Sequence, residues 1–234
     1  MRRVVIAFLL AFILLLTACS GTASQASSQT SSLASSQASS QELTGIVDIY
    51  DSDTLMEAIR GDTAAGVDIK ADITIGLSSI EEFEKDGFLM TIDKGVTVTM
   101  GDNFMPVYFG TDTVNGIINN GTLVITGTFE FAMTTFENNG TLRIAANGML
   151  APCYSTIQNN GEVIIDADGE LRIERDTTFN NSATLTNNGL VKISSDGGAF
   201  NNLVTGKIIN NNRIVSVGTY TNAGEFIGDG EPLM

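Results

Sequence analysis

The chain has 234 residues, with 12 Lys and Arg against 27 Asp and Glu, and its formal net charge is −15. Such an acidic surplus argues against binding to nucleic acid and against adhesion to an anionic bilayer surface. The only cysteines are Cys19 and Cys153, and the chain contains no His and no Trp. Two cysteines provide no disulfide framework, so the fold must depend on an ordinary core.

The N-terminal segment, residues 1–18, has the pattern of a signal peptide. Arg2 and Arg3 are followed by residues 4–16, an apolar run without a charge. A transmembrane helix needs about 20 apolar residues, so this run is too short to span a bilayer and fits the apolar region of a signal peptide. Removal of residues 1–18 takes away two cations and no acid, which leaves 10 cations, 27 acids and a net charge of −17.

The residues Leu16-Thr17-Ala18-Cys19 follow directly. They resemble the lipobox of bacterial lipoproteins, in which a Leu and a small residue precede the cysteine that becomes the lipidated N-terminus. The resemblance implies a diacylglyceryl group on Cys19, and two acyl chains make a stable membrane anchor. We therefore expect the protein on the extracytoplasmic side of a bacterial cell membrane. The alternative is an ordinary signal peptide cleaved after Ala18.

A Ser- and Gln-rich segment, residues 20–41, follows the cysteine and contains one Leu, no aromatic residue and no charge. It cannot bury enough apolar surface to offset the entropy of ordering, so it is predicted to be a disordered linker. The sequence thus predicts a signal peptide at 1–18, a lipidated cysteine and linker at 19–45, and a folded domain at 46–234. The folded part, about 190 residues, is long enough for one domain with a sizeable core.

Upstream of the repeats, the pattern predicts one helix and several strands. The helix is expected over residues 52–59, with Thr54 and Glu57 matching a capping box and Gly61 as a stop. Alternating apolar residues predict strands at 67–75, 89–92 and 96–100.

Asparagine recurs through the second half of the chain, at spacings of 19 and then 21 four times. The recurring positions are Asn119, Asn138, Asn159, Asn180, Asn201 and Asn222. A bulky residue precedes each of them: Ile117, Phe136, Ile157, Phe179, Phe200 and Tyr220. Apolar residues follow with period two, which is typical of strands with one buried face.

Two architectures share these signals. Asn-Gly between alternating strands is a strong hairpin cue and would suit an antiparallel meander. In a parallel β-solenoid, equivalent residues stack about 4.8 Å apart on successive coils, so that asparagines can hydrogen-bond in a ladder. A meander has no reason to keep an asparagine register over so many repeats. The constant period therefore predicts an all-β parallel solenoid of about 21 residues per coil, with the predicted helix covering one open end.

The upstream region is similar to the start of the pectate-lyase-like right-handed β-helix proteins. The matching residues are Leu-x-x-Ala-Ile at 55–59, Asp-Ile-Thr-Ile at 72–75 and Ile-x-x-Gly-Val-Thr at 92–97. The resemblance extends over about residues 46–228 and implies a right-handed, single-stranded parallel β-helix. It says little about activity, because that superfamily contains lyases, hydrolases and adhesins.

The sequence argues against an enzyme of that superfamily. Its polygalacturonases carry a Ser/Gly-His-Gly motif and its pectate lyases a Trp-x-Asp-His motif, and neither can exist in a chain without His and Trp. The regular spacing leaves no room for long cleft-forming loops. We therefore expect a non-catalytic surface protein for adhesion or contact with cell-wall or host polysaccharide. The alternatives are an unusual polysaccharide-active enzyme and a purely structural envelope module.

Three acidic residues form a candidate calcium site. Asp166, Asp168 and Glu170 lie close together in sequence, and carboxylates are oxygen ligands that Ca²⁺ accepts. A solvated face of alternating charge, with Asp168 in a turn, explains the same residues, so no cofactor is expected. Asp48, Asp51 and Asp53 likewise suit the N-terminus of the helix.

Cys153 and the asparagines receive structural interpretations. Cys153 has no His anywhere in the chain to activate it, so a buried or inert thiol is expected. An exposed polar row of Asn and Thr could bind sugar hydroxyls, but inward-facing asparagines that satisfy turn backbone groups are the favoured interpretation.

Overall fold

The computed structural model describes residues 45–61, 64–76, 81–85, 87–101, 104–109 and 116–228. The predicted signal peptide, Cys19 and the predicted linker up to residue 44 lie outside the described residues. Within them, the chain forms one helix, α1 (Ser52–Arg60), and 24 strands. In chain order the strands are β1 (Ile46–Ile49), β2 (Gly66–Ile69), β3 (Ile73–Ile75), β4 (Glu81–Lys85), β5 (Leu89–Ile92), β6 (Thr97–Met100), β7 (Phe104–Phe109), β8 (Gly116–Asn119), β9 (Thr122–Ile125), β10 (Thr128–Ala132), β11 (Thr135–Asn138), β12 (Thr141–Ile144), β13 (Met149–Leu150), β14 (Thr156–Asn159), β15 (Glu162–Ile165), β16 (Glu170–Ile173), β17 (Thr178–Asn181), β18 (Thr184–Asn187), β19 (Leu190–Ile193), β20 (Ala199–Asn202), β21 (Lys207–Asn210), β22 (Arg213–Ser216), β23 (Thr219–Asn222) and β24 (Glu225–Gly228).

The strands form three parallel sheets, and each coil of chain contributes one strand to each sheet in turn. Sheet A has the order β1-β2-β5-β8-β11-β14-β17-β20-β23, sheet B runs from β3 to β24 and sheet C from β4 to β22. Coil 1 is β2-β3-β4 and coil 7 is β20-β21-β22, with β23 and β24 beginning an eighth. Every pairing within the described strands is parallel, for example β11 with β14 and β12 with β15. The predicted all-β, right-handed parallel β-helix is confirmed, and the meander is excluded.

The core consists of columns of inward side chains, because residues at equal positions on successive coils lie directly above one another. In sheet A, Phe136, Ile157, Phe179 and Phe200 form one such column and are fully buried. The rings of Phe179 and Phe200 stack with centroids 5.1 Å apart and an interplanar angle of 7°. Burying one such ring contributes about 1.5–3 kcal/mol, so the column is a main source of stability.

Helix α1 packs near the N-terminal end of the solenoid, with Leu55, Met56 and Ile59 buried. Its position agrees with the prediction, but the predicted capping box is wrong. The N-cap is Asp51, whose side chain accepts the Thr54 N–H at 2.8 Å and its hydroxyl at 3.0 Å. Thr54 therefore lies inside the first turn, as a donor rather than the cap. These bonds lower the pKa of Asp51.

The predicted strand at 67–75 is two strands, β2 and β3, because the chain turns here from sheet A to sheet B. Lys70 lies in that corner and its ammonium contacts Asp93 at 2.9 Å, Asp68 at 3.2 Å and Asp48 at 3.7 Å. The hydrogen bond to Asp93 is the main reason that the pKa of Lys70 is raised.

None of the described helices is long and apolar enough to cross a membrane.

Candidate binding surface on sheet A

A ladder of asparagines, buried except at its last member Asn222, lies beneath the corner between sheets A and B. Each member is the last residue of a sheet A strand, and its amide nitrogen donates to the amide oxygen of the next member at 2.7–2.8 Å. The same nitrogen also donates to a backbone carbonyl of the next sheet B strand, as from Asn138 to Glu162 at 3.0 Å. The members are Asn119, Asn138, Asn159, Asn181, Asn202 and Asn222. The ladder therefore ties each coil to the next.

Two residues predicted for this ladder, Asn180 and Asn201, do not belong to it. Strand β17 pairs with β14 so that Asn181, not Asn180, lies opposite Asn159. Paired residues are 21 positions apart between β11 and β14 but 22 apart between β14 and β17. The one additional residue lies in the corner before β17, where Arg175 and Asp176 both have positive φ, 50° and 53°. A shift of one residue exchanges the two faces of a strand, which places Asn181 inside and Asn180 outside.

The outward residues of sheet A from coil 4 onward form a surface that we call the polar face. Its first column occupies the first position of each strand and its second column the third position. The first column is Thr135, Thr156, Thr178, Ala199 and Thr219, and the second is Glu137, Gln158, Asn180, Asn201 and Thr221. Glu137 is the only ionisable residue among them, so this part of an acidic protein is nearly uncharged.

Hydrogen bonds along the second column fix its side chains in place. The Asn201 amide donates to Asn180 Oδ1 at 3.0 Å, and the Thr221 hydroxyl donates to Asn201 Oδ1 at 2.8 Å. Beside this column, Asn139 donates to Asn120 and Asn160 to Asn139, both at 3.1 Å. The Asn201 amide donates only to Asn180 within the described residues and keeps a second N–H for a ligand. The Asn160 amide also donates to Glu137 Oε1, at 3.3 Å, so both of its N–H groups are engaged.

The threonine hydroxyls of the first column are available to a ligand. Thr135, Thr156, Thr178 and Thr219 have no side-chain hydrogen bond within the part of the chain that the structure describes. A hydroxyl can donate one hydrogen bond and accept two. Thr135, Thr156 and Thr178 thus present free hydroxyls on consecutive coils, about 4.8 Å apart, beside the second column, and Ala199 separates them from Thr219.

The weak calcium candidates are separated by their own ion pairs. Asp166 binds Arg143 at 2.8 Å, and Glu170 binds Arg172 at 2.8 Å. Asp168 lies in a corner with φ 65°, as expected for a turn residue. Among the described residues, no group of three or more His, Cys, Asp or Glu side chains could hold a metal ion.

Cys153 is 8% exposed and lies at the corner between sheets C and A. Its thiol accepts a hydrogen bond from Arg175 Nη1 at 3.7 Å. Burial raises the pKa of this thiol, although Arg175 acts in the opposite direction. A buried thiol agrees with the prediction. Burial also raises the pKa of nearby Glu130.

The fold and the ladder define the chain as a right-handed parallel β-helix with an internal asparagine ladder. The chain matches no protein-family model, and neither a curated protein nor a solved structure shows significant similarity to it.

Proposed function

We propose that this chain is a lipid-anchored surface protein whose β-helix binds uncharged glycans through the polar face, without catalysis. One observation carries the proposal: a chain with 27 acidic residues keeps the outward side of sheet A nearly free of charge from coil 4 onward. Acidic side chains on that outward face would not destabilise the core, so the fold alone does not explain why they are scarce there. A ligand that offers hydroxyls rather than charges supplies one.

The hydrogen-bonding groups suit sugar hydroxyls. Thr156 and Thr178 present hydroxyls without a partner, while Asn180 and Asn201 are held by the column of amides. Ordered groups lose little conformational entropy on binding, which raises affinity for a given number of contacts. The face extends over several coils, which favours a polymer over a single sugar.

The proposed anchor supports display at the surface. The lipobox-like residues end at Cys19, and the Ser- and Gln-rich linker separates it from Ile46, where β1 begins. A linker of this composition is expected to hold the β-helix away from the membrane, within reach of cell-wall or host polysaccharide.

The test measures binding of the purified full chain to immobilised neutral glucans, galactans and mucin glycans, with product detection. Thr178→Arg places a long cation in the first column of the polar face. Thr184→Arg is its matched control, because Thr184 holds the first position of the next strand of the same coil, on sheet B. We expect binding that Thr178→Arg abolishes and Thr184→Arg leaves intact. Equal effects of the two substitutions, no binding, or turnover of any glycan would overturn the proposal.

A further inference from the structure

Sheet C carries a cluster of cations on its outward side between coils 5 and 7. Arg172 on β16 lies directly opposite Lys192 on β19, and Arg213 on β22 lies opposite Leu190 in the neighbouring column. Lys192 and Arg213 are exposed. We call these three cations, with Glu170, Leu190 and Val215 between them, the basic face. It holds three cations and one carboxylate, although the chain as a whole is acidic.

The cations of the basic face differ in their partners. Arg172 binds Glu170 through two contacts, Nε to Oε1 at 2.8 Å and Nη2 to Oε2 at 3.1 Å. Lys192 and Arg213 form no ion pair within the described residues. By contrast, Arg143 and Lys207 each contact a carboxylate.

This arrangement has an electrostatic cost in the free protein. Like charges directly opposite each other on neighbouring strands are destabilising, and Arg172 and Lys192 form such a pair. Glu170 offsets part of this repulsion, and Glu174 and Glu130 also attract Arg172, whereas Lys192 and Arg213 have no ion pair within the described residues. An anionic group bound between Lys192 and Arg213 would lower the electrostatic repulsion among these cations.

We infer that the basic face binds a polymer of sugars or polyols that is linked by phosphodiesters and carries no bases, a partner separate from the uncharged glycan of the polar face. A phosphodiester keeps its negative charge throughout the physiological pH range, and a lysine ammonium binds phosphate as a point charge. The planar fork of Arg172, which fits a carboxylate or a phosphate, is already occupied by Glu170. The groups left for a ligand are therefore Lys192 and the Arg213 guanidinium.

The surroundings of the basic face favour this polymer over nucleic acid. Unselective binding of single strands depends on aromatic side chains that stack on the bases. The outward positions of β16, β19 and β22 hold none. Glu174 and Asp196 lie in the corners that follow β16 and β19, and they confine an anionic ligand to the face itself.

The test measures binding of the full chain to poly(glycerol phosphate), polygalacturonate and single-stranded DNA at fixed salt. The variant is Lys192→Glu with Arg213→Glu, and Lys192→Gln with Arg213→Gln removes the charges without reversing them. Lys94→Glu is the matched control, because Lys94 is also exposed and unpaired within the described residues but lies in a corner after β5.

We expect the wild type to bind poly(glycerol phosphate) more tightly than the other two polymers. The double glutamate variant should lose about tenfold or more of that affinity, the glutamine variant less, and Lys94→Glu almost none. Circular dichroism checks that each variant is folded. Equal binding of DNA or polygalacturonate, an equal loss with Lys94→Glu, or no binding would overturn the inference. Thr178→Arg should leave this binding unchanged, which separates it from the proposed function.

Discussion

Asn180 and Asn181 are neighbours in sequence and lie on opposite sides of sheet A. The Asn181 amide is fully buried and hydrogen-bonded on both sides, to Asn159 at 2.7 Å and to Asn202 at 2.8 Å. Asn180 faces outward and accepts only from Asn201, at 3.0 Å. The same side chain thus serves the core in one case and the surface in the other.

Alanine at these two positions should therefore have very different effects. Asn181→Ala leaves a buried donor on Asn159 and a buried acceptor on Asn202 without partners, and each such group costs about 1–3 kcal/mol. Asn180→Ala should change the free energy of unfolding by about 0.5 kcal/mol or less, as for other surface substitutions. Chemical denaturation of both variants measures the difference. If Asn180→Ala cost as much as Asn181→Ala, the register described for β17 would be wrong.

The effect of a ladder substitution should also depend on its place in the stack. Asn159 is fully buried between two members, whereas Asn222 is exposed and accepts from Asn202 alone. We expect Asn159→Leu to remove several kcal/mol of stability, since about 1–3 kcal/mol is lost for each unsatisfied group, and Asn222→Leu to cost much less. Thermal denaturation compares the two. Similar small losses would contradict a continuous ladder.

The sequence predicted the coil and the ladder but misplaced two ladder members. The regular asparagine period pointed to Asn180 and Asn201, because a constant spacing carries no information about an inserted residue. A second signal was present: Phe136 lies two residues before Asn138, whereas Phe179 lies only one before Asn180. A constant offset of two from the bulky residue selects Asn181 and Asn202.

The sequence allowed an exposed row that binds sugar hydroxyls, but it could not identify the residues of either proposed binding face. A Thr precedes four of the six bulky residues, at 135, 156, 178 and 219, but its outward direction depends on the register of the strands. Arg172 and Lys192 are far apart in sequence, with a whole coil of chain between them. Only the pairing of β16 with β19 places them side by side.

The cap of α1 predicts a pH effect. Hydrogen bonds from Thr54 lower the pKa of Asp51 below its ordinary value of 3.8. A carboxyl with a lowered pKa in the folded state contributes stability above its unfolded pKa, and that contribution is lost as the pH falls through the folded pKa. Asp51→Ala should therefore lower Tm near neutral pH, and the difference from wild type should shrink in strong acid. The control is Asp53→Ala, because Asp53 lies in the first turn of α1 but is not its N-cap. A difference that persists unchanged in strong acid would contradict the assignment.

Lipidation is tested by metabolic labelling with a fatty-acid analogue. The wild type should be labelled and found with the membrane, because the sequence predicts a lipidated cysteine at position 19. Cys19→Ala should lose the label, while Cys153→Ala, the substitution of the only other cysteine, should keep it. Equal labelling of Cys19→Ala, or wild-type protein with an unblocked N-terminus free in the medium, would show that the anchor assignment is wrong.

The direction of the ladder allows one further prediction, at its first member. Each amide nitrogen donates toward the C-terminal coil, so Asn119 Oδ1 receives no hydrogen bond within the described residues although it is buried. Ile92 lies directly opposite Asn119 on the preceding coil and is fully buried. In Ile92→Asn the new amide can donate to Asn119 Oδ1, which extends the ladder by one step. Ile144→Asn is the matched control, since Ile144 is equally buried but stacks between Ile125 and Ile165.

Both substitutions remove an isoleucine from the core, so the apolar loss is similar and the hydrogen bonds decide the difference. We expect Ile144→Asn to cost more than Ile92→Asn by about 1–3 kcal/mol, the cost of a buried polar group without a partner. Urea denaturation of the two variants and the wild type measures this difference directly. If the two losses are equal, or if Ile92→Asn is the more damaging, the new amide does not reach Asn119 and the ladder cannot grow toward the N-terminal coils.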